Sequence, residues 1–190
     1  MTELLKPYSD TAASEKIIAR TQTWLERAVI GLNLCPFAKS VFVKKQVRYA
    51  LTAASTPDEL LAELEHELAL MVDTDPAKLD TTLLIHPLAM TDFLDFHFFL
   101  GEVDALIRNL GYEGVFQIAS LHPQYEFAGS TPDDIANYTN RSPYPTLHLL
   151  RESSIDRAVA AFPDAEAIFE RNIETMERLG HEGWKKLWLS

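Results

Sequence analysis

Hydrophobic positions along this chain alternate between helical and strand periods. Apolar residues return every three or four positions in five segments, which is typical of amphipathic helices packed on a core. We therefore predict helices over residues 11–30, 56–73, 91–110, 154–161 and 164–179. Thr56 and Pro57 mark one helix start, because Thr can cap the first turn and Pro fits inside it. Gly31, Gly111 and Gly180 are expected helix ends.

Four other segments have the pattern of strands. They lie at residues 41–54, 81–85, 115–121 and 146–150. The run TTLLI, residues 81–85, has no outward-facing polar position at its centre, which is typical of a strand covered on both faces. Strands that alternate with helices predict an α/β fold with about four strands in a mostly parallel or mixed sheet. We expect a single domain over residues 1–190, made of the helix 11–30, an α/β body 41–179 and a short tail 180–190.

Charge and composition narrow the range of partners. The chain has 190 residues, 17 of them basic and 28 acidic, for a net charge of −11. It would repel nucleic acids and anionic membranes, and no segment has the roughly 20 apolar residues of a membrane span. A lone cysteine and the absence of a secretory leader predict a reducing cytoplasm. A small anionic molecule is still an expected partner where a few arginines converge, and homo-oligomers stay open.

Two strands end in the same dipeptide. His86-Pro87 follows residues 81–85, and His122-Pro123 follows residues 115–121. One helix lies between the two strands, so they should be parallel, with both histidines at the carboxyl edge where open α/β sheets bind ligands. The alternative is structural, because Pro ends strands and a histidine there often bonds to backbone.

A long polar segment precedes the last strand and is rich in hydrogen-bonding side chains. Stiffened by prolines, it predicts an ordered loop that holds a carboxylate or phosphate, with arginine as the bidentate donor. The candidate ligand-binding residues are Tyr125, Asn137, Asn140, Arg141, Ser142 and Arg151. The alternative is that the Asn and Ser side chains stabilise turns and that Arg141 pairs with Asp133 or Asp134.

Four residues are candidates for catalysis: Cys35, His122, His148 and Glu152. If a helix begins at Pro36, its backbone amides would lower the pKa of the Cys35 thiol, and His122 or His148 could act as the base. Glu152 could serve as a base or pair with Arg151. Apolar neighbours favour simple packing of Cys35, and the Cys-Pro dipeptide also occurs as a haem ligand.

A metal site is the alternative to a thiol site. His86, His122 and His148 could converge as three neutral ligands of a catalytic zinc. Their separations along the chain are long, and no HExxH, CxxC, GxGxxG or P-loop pattern is present. The cofactor therefore stays unassigned.

Several segments together resemble a known family. GLNLCPFA, TTLLIHP, HPQYEFAG and NYTNRSPYPTLHLLRE resemble an uncharacterised bacterial family, domain of unknown function 1415 (DUF1415). The resemblance spans about residues 24–180 and implies one intact bacterial domain. The family has no assigned activity or catalytic residues, so the resemblance adds no chemistry.

Three functional hypotheses follow from the sequence. The first is an enzyme that acts on a small anionic metabolite through a Cys/His/Arg site. The second is a metal-dependent enzyme or metal-binding protein, and the third is a non-catalytic ligand-binding or interaction domain.

Overall fold

The computed structural model describes residues 11–161 and 167–188 of the chain. One mixed sheet is flanked by helices, as the α/β prediction requires. The strands are β1 (Val47–Leu51), β2 (Thr81–Ile85), β3 (Phe116–Leu121) and β4 (Thr146–Arg151). The α-helices are α1 (Thr11–Trp24), α2 (Ala38–Val43), α3 (Pro57–Asp73), α4 (Phe93–Asn109), α5 (Glu152–Ala160) and α6 (Ile168–Lys186). A π-helix (Leu25–Ile30) continues α1, and a 3₁₀ helix (Ile135–Thr139) precedes β4.

The strand order is β1-β2-β4-β3. β1 and β2 are parallel, and β4 lies antiparallel between β2 and β3. Since β2 and β3 are each antiparallel to β4, they run in the same direction. The sheet is therefore mixed, and the first residue of β4 lies beside the last residues of β2 and β3.

The two faces of the sheet bury different helices. On one face, α3 and α4 pack their apolar stripes against Leu84 of β2 and Leu147 and Leu149 of β4. The spacing of Leu60, Leu64, Leu68 and Met71 follows the helical period, and all four side chains are fully buried. On the other face, Trp24, Leu25 and Ala28 at the junction of α1 and the π-helix pack with Val47, Tyr49, Leu121 and Trp184.

Local sequence signals explain the starts of the two long helices. The Thr56 hydroxyl accepts a hydrogen bond from the Glu59 amide at 3.3 Å, and Glu59 reaches back to the Ser55 amide at 2.8 Å. Asp92 caps α4 by accepting from the amides of Leu94 and Asp95. These caps satisfy amides that have no partner inside the helix, so the predicted starts near residues 56 and 91 are confirmed.

The predicted strand over residues 41–54 is wrong in its first part. Residues 38–43 form α2, and only Val47–Leu51 enter the sheet. Lys45 reverses the chain between them with a left-handed φ of 57°. A short apolar run such as VFV fits either a helix or a strand, and here Phe42 gains burial against Trp24 and its neighbours from a helical conformation.

The helix ends also differ in part from the sequence prediction. The helix predicted over residues 11–30 changes to π-helix at Leu25, and α5 begins at Glu152 rather than 154. Gly180 interrupts α6 with φ 62°, as predicted, but helix resumes beyond it through Lys186 where we expected a tail. The predicted start of that helix at 164 lies outside the described residues. Within the described ranges, no helix is long and apolar enough to cross a membrane.

Candidate anion-binding groove

The two His-Pro dipeptides lie at one edge of the sheet. His86 follows β2 and His122 follows β3, and both strands reach the edge at which β4 begins. The first residue of β4, Thr146, pairs with Ile85 on one side and Leu121 on the other. The predicted shared edge is therefore confirmed, and the polar loop that leads into β4 lies along it.

His86 is fully buried in its neutral form. Its Nδ1 is 3.0 Å from the carbonyl oxygen of Ala89, so Nδ1 carries the ring proton and donates it. The other ring nitrogen, Nε2, is a bare acceptor with no hydrogen-bond partner in the described structure. Burial lowers the pKa of His86 to about 4, because charge is costly away from water.

His122 has both ring nitrogens engaged. Nδ1 accepts a hydrogen bond from the Gln124 amide at 3.0 Å, which leaves the proton on Nε2, 3.3 Å from the carbonyl oxygen of Met90. The ring stacks on Phe96 with centroids 5.4 Å apart, and burial lowers its pKa. The His122 ring therefore links the end of β3 to the backbone around it. It has no free nitrogen for proton transfer or metal binding.

His148 does not join the other two histidines. It lies in the middle of β4, and its Nε2 is 2.8 Å from the hydroxyl of Thr81 at the opposite end of β2. The Thr81 hydroxyl donates to the carbonyl of Leu149 at 2.6 Å, so His148 is the donor in the first bond. Burial lowers the pKa of His148 to about 4. Over residues 11–161 and 167–188, no three His, Cys, Asp or Glu side chains are grouped to hold a metal.

Cys35 lies in a turn before α2, which starts at Ala38 rather than Pro36. Backbone amides of Phe37 and Ala38 do reach the thiol, as a helix start would require, but burial outweighs them and raises its pKa. A raised pKa disfavours the thiolate, which is the nucleophilic form. The raised pKa therefore favours the packing interpretation of Cys35, which is partly exposed, and its role as a nucleophile stays a prediction.

Arg151 and Glu152 lie at the far edge of the sheet. Because β4 is antiparallel, it begins beside the histidines and ends away from them. The Arg151 guanidinium is buried and donates to three carbonyls at the end of α3 and beyond it, those of Met71, Thr74 and Leu79. Glu152 begins α5, and its amide donates to the carbonyl of Val115. Neither residue is close enough to the loop to hold the same ligand.

Most polar side chains of the loop stabilise the loop itself. Asn137 is fully buried and bonds Phe127, Ser130 and Thr131, and Ser142 donates to the carbonyl of Tyr144 at 2.6 Å. The Tyr125 hydroxyl bonds the side chains of Asn140 and Ser120. These contacts agree with the alternative in which the Asn and Ser side chains stabilise turns of the loop.

Arg141 keeps its charge without an acidic partner. Its Nε donates to the carbonyl of Tyr125 at 3.1 Å, its Nη2 donates to the carbonyl of Pro132 at 2.8 Å, and its guanidinium lies 4.2 Å from the ring centre of Tyr138. In the described structure it forms no ion pair with Asp133 or Asp134. Carbonyls orient the guanidinium but do not neutralise it.

Arg141 lines a groove of about 570 Å³ between the loop, α1 and the end of α6. We call it the arginine groove. Its lining residues are Arg20, Thr23, Trp24, Arg27, Pro123, Tyr138, Arg141, Ser142, Pro143, Trp184 and Trp188. Three are arginines, four are aromatic, and none of these described residues is acidic. The groove therefore has a positive lining in a protein whose net charge is −11.

Helix α1 and the π-helix that continues it supply groove residues that the sequence analysis missed. Arg20, Trp24 and Arg27 are spaced i, i+4 and i+7, which places them on one helix face. The Trp24 indole donates to the carbonyl of Arg141 at 2.9 Å and so fixes the loop against this face. Two arginines on either side of a tryptophan at helical spacing are a signal that the sequence does contain.

A second, smaller cavity of about 340 Å³ lies between the turn at Leu32–Pro36 and α6. Its lining includes Arg171 and Arg178 together with the acidic Glu174. Since both signs of charge are present, this cavity has less preference for anions than the arginine groove.

The fold and groove together define an α/β protein with a mixed four-stranded sheet and an arginine-lined cleft at the sheet edge. The chain belongs to the family described as "Protein of unknown function (DUF1415)", whose family model matches residues 16–186. The suspected family is therefore confirmed. No curated protein matches the chain, and no solved structure matches it.

Proposed function

We propose that this protein binds a small anionic molecule in the arginine groove. The observation that carries the proposal is the lining itself, which includes three arginines and, among the described residues, no acidic side chain. Arginine binds carboxylates and phosphates through two parallel hydrogen bonds, which makes it suited to such ligands.

Electrostatics favour an external anion as the partner of these arginines. In the described part of the chain, Arg20 and Arg141 form no ion pair with a carboxylate. Arg20 is exposed on α1 and lies over the ring of Tyr144 at 5.7 Å. Positive charges that line one groove repel each other, so an anion that binds in the groove relieves this repulsion.

The location and size of the groove also fit a small ligand. Pro123 and the loop residues from Arg141 to Pro143 bring the groove to the sheet edge at which β2 and β3 end. Open α/β sheets commonly bind ligands outside this edge. The volume of about 570 Å³ lies within the range of small-molecule pockets, roughly 300–1,000 Å³.

Binding, rather than catalysis by the predicted thiol and histidine, is what the side chains support. Burial raises the pKa of Cys35, and His122 has no free ring nitrogen. The proposal therefore develops the third sequence hypothesis while keeping the anionic ligand of the first. We expect the protein to act in a bacterial cytoplasm, where a single free cysteine stays reduced.

Thermal unfolding in sulfate tests the proposal. A bound anion stabilises the native state by linkage, so at ten times the dissociation constant the melting temperature should rise by about 3 °C. Arg20→Gln should remove most of this saturable rise, because Arg20 adds charge to the groove but its only described contact is the ring of Tyr144. Arg141→Lys should weaken it too, since lysine keeps the charge but loses the planar fork.

The matched control is Arg108→Gln, which makes the same charge change on the exposed end of α4, away from the groove. Sulfate also stabilises proteins without binding a site, so the comparison between variants decides, with sodium chloride at equal ionic strength as the baseline. Equal sulfate responses in the wild type, Arg20→Gln and Arg108→Gln would remove the groove from consideration.

A further inference from the structure

We infer that the ligand of the arginine groove is a planar aromatic anion, a flat ring system that carries a carboxylate or phosphate. The inference rests on the proposed function and specifies the ligand class. Its basis is the second component of the lining, the aromatic side chains of the loop and of the end of α6.

The aromatic wall is built from Tyr138, Trp184 and Trp188. Their rings meet edge to face, with centroids 5.2 Å apart and planes at 74° for Tyr138 and Trp184, and 5.5 Å and 71° for Trp184 and Trp188. Tyr138 also contacts the ring of His181 at 5.4 Å and the Arg141 guanidinium, so its faces are largely covered. Among the described residues, the ring of Trp188 contacts only the ring of Trp184, and that contact is edge to face. Trp188 keeps 38% of its surface exposed, which is a large apolar area in contact with water.

Arg141 offers a second flat surface. One face of its guanidinium lies over Tyr138 at 4.2 Å from the ring centre, and two carbonyls hold its orientation. A guanidinium stacks on aromatic rings as well as binding anions, so its outer face can accept a flat ligand without rearrangement. A flexible aliphatic ligand would gain less from the same surface.

The charges indicate how such a ligand would lie. Arg20 and Arg27 are separated by seven residues, about 10 Å along the helix axis. Arg27 bonds the carbonyl of Leu187 at the tryptophan end of the groove, whereas Arg20 lies at the other end, beside Tyr144. The Arg141 guanidinium lies over Tyr138, whose ring contacts Trp184, so it also lies at the tryptophan end. The ring of the ligand therefore lies against Trp188 and the outer face of the Arg141 guanidinium, and its anionic group points to Arg20.

Calorimetric titration of the full chain with four probes tests this inference. The aromatic anions are 2-naphthoate and 2-naphthyl phosphate, which separate a carboxylate from a phosphate head group. The controls are trans-decalin-2-carboxylate, which has charge without a flat ring, and 2-naphthalenemethanol, which has the ring without charge. We expect at least one of the two aromatic anions to bind roughly tenfold more tightly than both controls. Stacking of the flat ring would supply the additional binding free energy.

Variants locate the binding. Trp188→Leu should weaken the better naphthyl anion roughly tenfold and leave the decalin carboxylate unchanged. Phe98→Leu, on the exposed face of α4, is the matched control and should change neither. A circular dichroism melt of each variant verifies that it is folded.

The outcomes separate the two proposals. Equal affinity for naphthoate and decalin carboxylate, with both weakened by Arg20→Gln, would overturn the aromatic inference and leave anion binding in place. Equal affinity for naphthoate and naphthalenemethanol would overturn the inference, because charge would then be irrelevant. If none of the four probes binds and Arg20→Gln leaves the sulfate response unchanged, both proposals fail.

Discussion

His86 and His122 contact the same ring, Phe96, yet hold their protons on different nitrogens. The Ala89 carbonyl selects the Nδ1 proton in His86, and the Gln124 amide selects the Nε2 proton in His122. Neutral tautomers suit this site because two adjacent positive charges would repel each other inside an apolar cluster. The two His-Pro dipeptides therefore occupy equivalent positions at the ends of β2 and β3. At His122 the role of the side chain is structural.

Acid should destabilise the protein through His86. Its pKa is about 4 when folded and 6.5 in the unfolded chain, so the unfolded state binds the proton first as pH falls. Stability is fully present above pH 6.5 and is lost between there and pH 4. His86→Asn keeps a donor for the Ala89 carbonyl but does not titrate. The loss of unfolding free energy from pH 7 to 5, measured in urea, should be smaller in this variant by about 2 kcal/mol.

The control for this measurement is His97→Asn, because His97 is exposed on α4. Its pH dependence should match that of the wild type. If His86→Asn also loses as much stability as the wild type, the buried neutral histidine is not the acid-sensitive group.

At the scale of elements, the π-helix after α1 depends on one glycine. Its last turn brings the Arg27 carbonyl oxygen to 2.3 Å from the place where a Cβ on residue 31 would stand. No side chain fits at that distance, although the Gly31 backbone itself is right-handed. Gly31 therefore permits the close approach that ends the π-helix, and Arg27 in that helix lines the groove.

Gly31→Ala should destabilise the protein by about 1–3 kcal/mol, because the backbone at Arg27 must move to admit the methyl group. The same movement displaces Arg27 and should weaken sulfate binding. Gly101→Ala is the matched control, since a Cβ there meets no atom within 4 Å in the middle of α4 and should stabilise by about 0.5–1 kcal/mol. Urea unfolding measures both. A Gly31→Ala protein as stable as Gly101→Ala would contradict the packing argument.

At the scale of the whole molecule, Arg151 connects the end of the sheet to the end of α3. It is the last residue of β4, and its guanidinium donates to the carbonyls of Met71 and Thr74 at the end of α3. Within the described part of the chain, the Met71 carbonyl otherwise accepts only a long bond of 3.4 Å from the Thr74 amide. A third bond reaches Leu79 just before β2. An arginine at a helix C-terminus also opposes the negative end of the helix dipole.

Arg151→Met should therefore cost about 3 kcal/mol of unfolding free energy, because it leaves buried carbonyls without donors. Arg157→Met provides the comparison: this arginine is 66% exposed and lies 4.0 Å from Asp80, so its loss should cost about 0–1 kcal/mol. Denaturant titration of the two variants, which lose the same charge, measures the difference. A similar cost for both would show that the Arg151 bonds add little.

Much of the element order follows from sequence alone. The cap at Thr56 and the buried run at residues 81–85 are local signals, and the structure places a helix and a strand where they predict them. The shared edge of His86 and His122 also follows, because a helix between two strands makes them parallel. Local signals fail at residues 41–46, where an apolar triplet carries no period long enough to distinguish a helix from a strand.

The arginine groove could be predicted only in part. Arg141 and Ser142, two of the predicted binding residues, line the groove, but Arg151 and Glu152 lie at the opposite edge of the sheet. Their position depends on the direction of β4, which no residue in that strand encodes. The antiparallel pairing of β4 with β2 on one side and with β3 on the other sets this direction, and only the folded sheet shows that pairing.

By itself, therefore, the sequence determined the α/β class, most helix starts and the edge that carries both histidines, because caps, periods and crossovers act over a few residues. The tertiary structure alone decided which polar side chains face a ligand. Asn137 and Arg141 are four residues apart, yet one is fully buried with its bonds satisfied inside the loop, and the other lines a groove with Arg20, more than 100 residues away in the chain. A hydrogen bond inside the protein and one to a ligand use the same atoms, so only packing against distant elements distinguishes them.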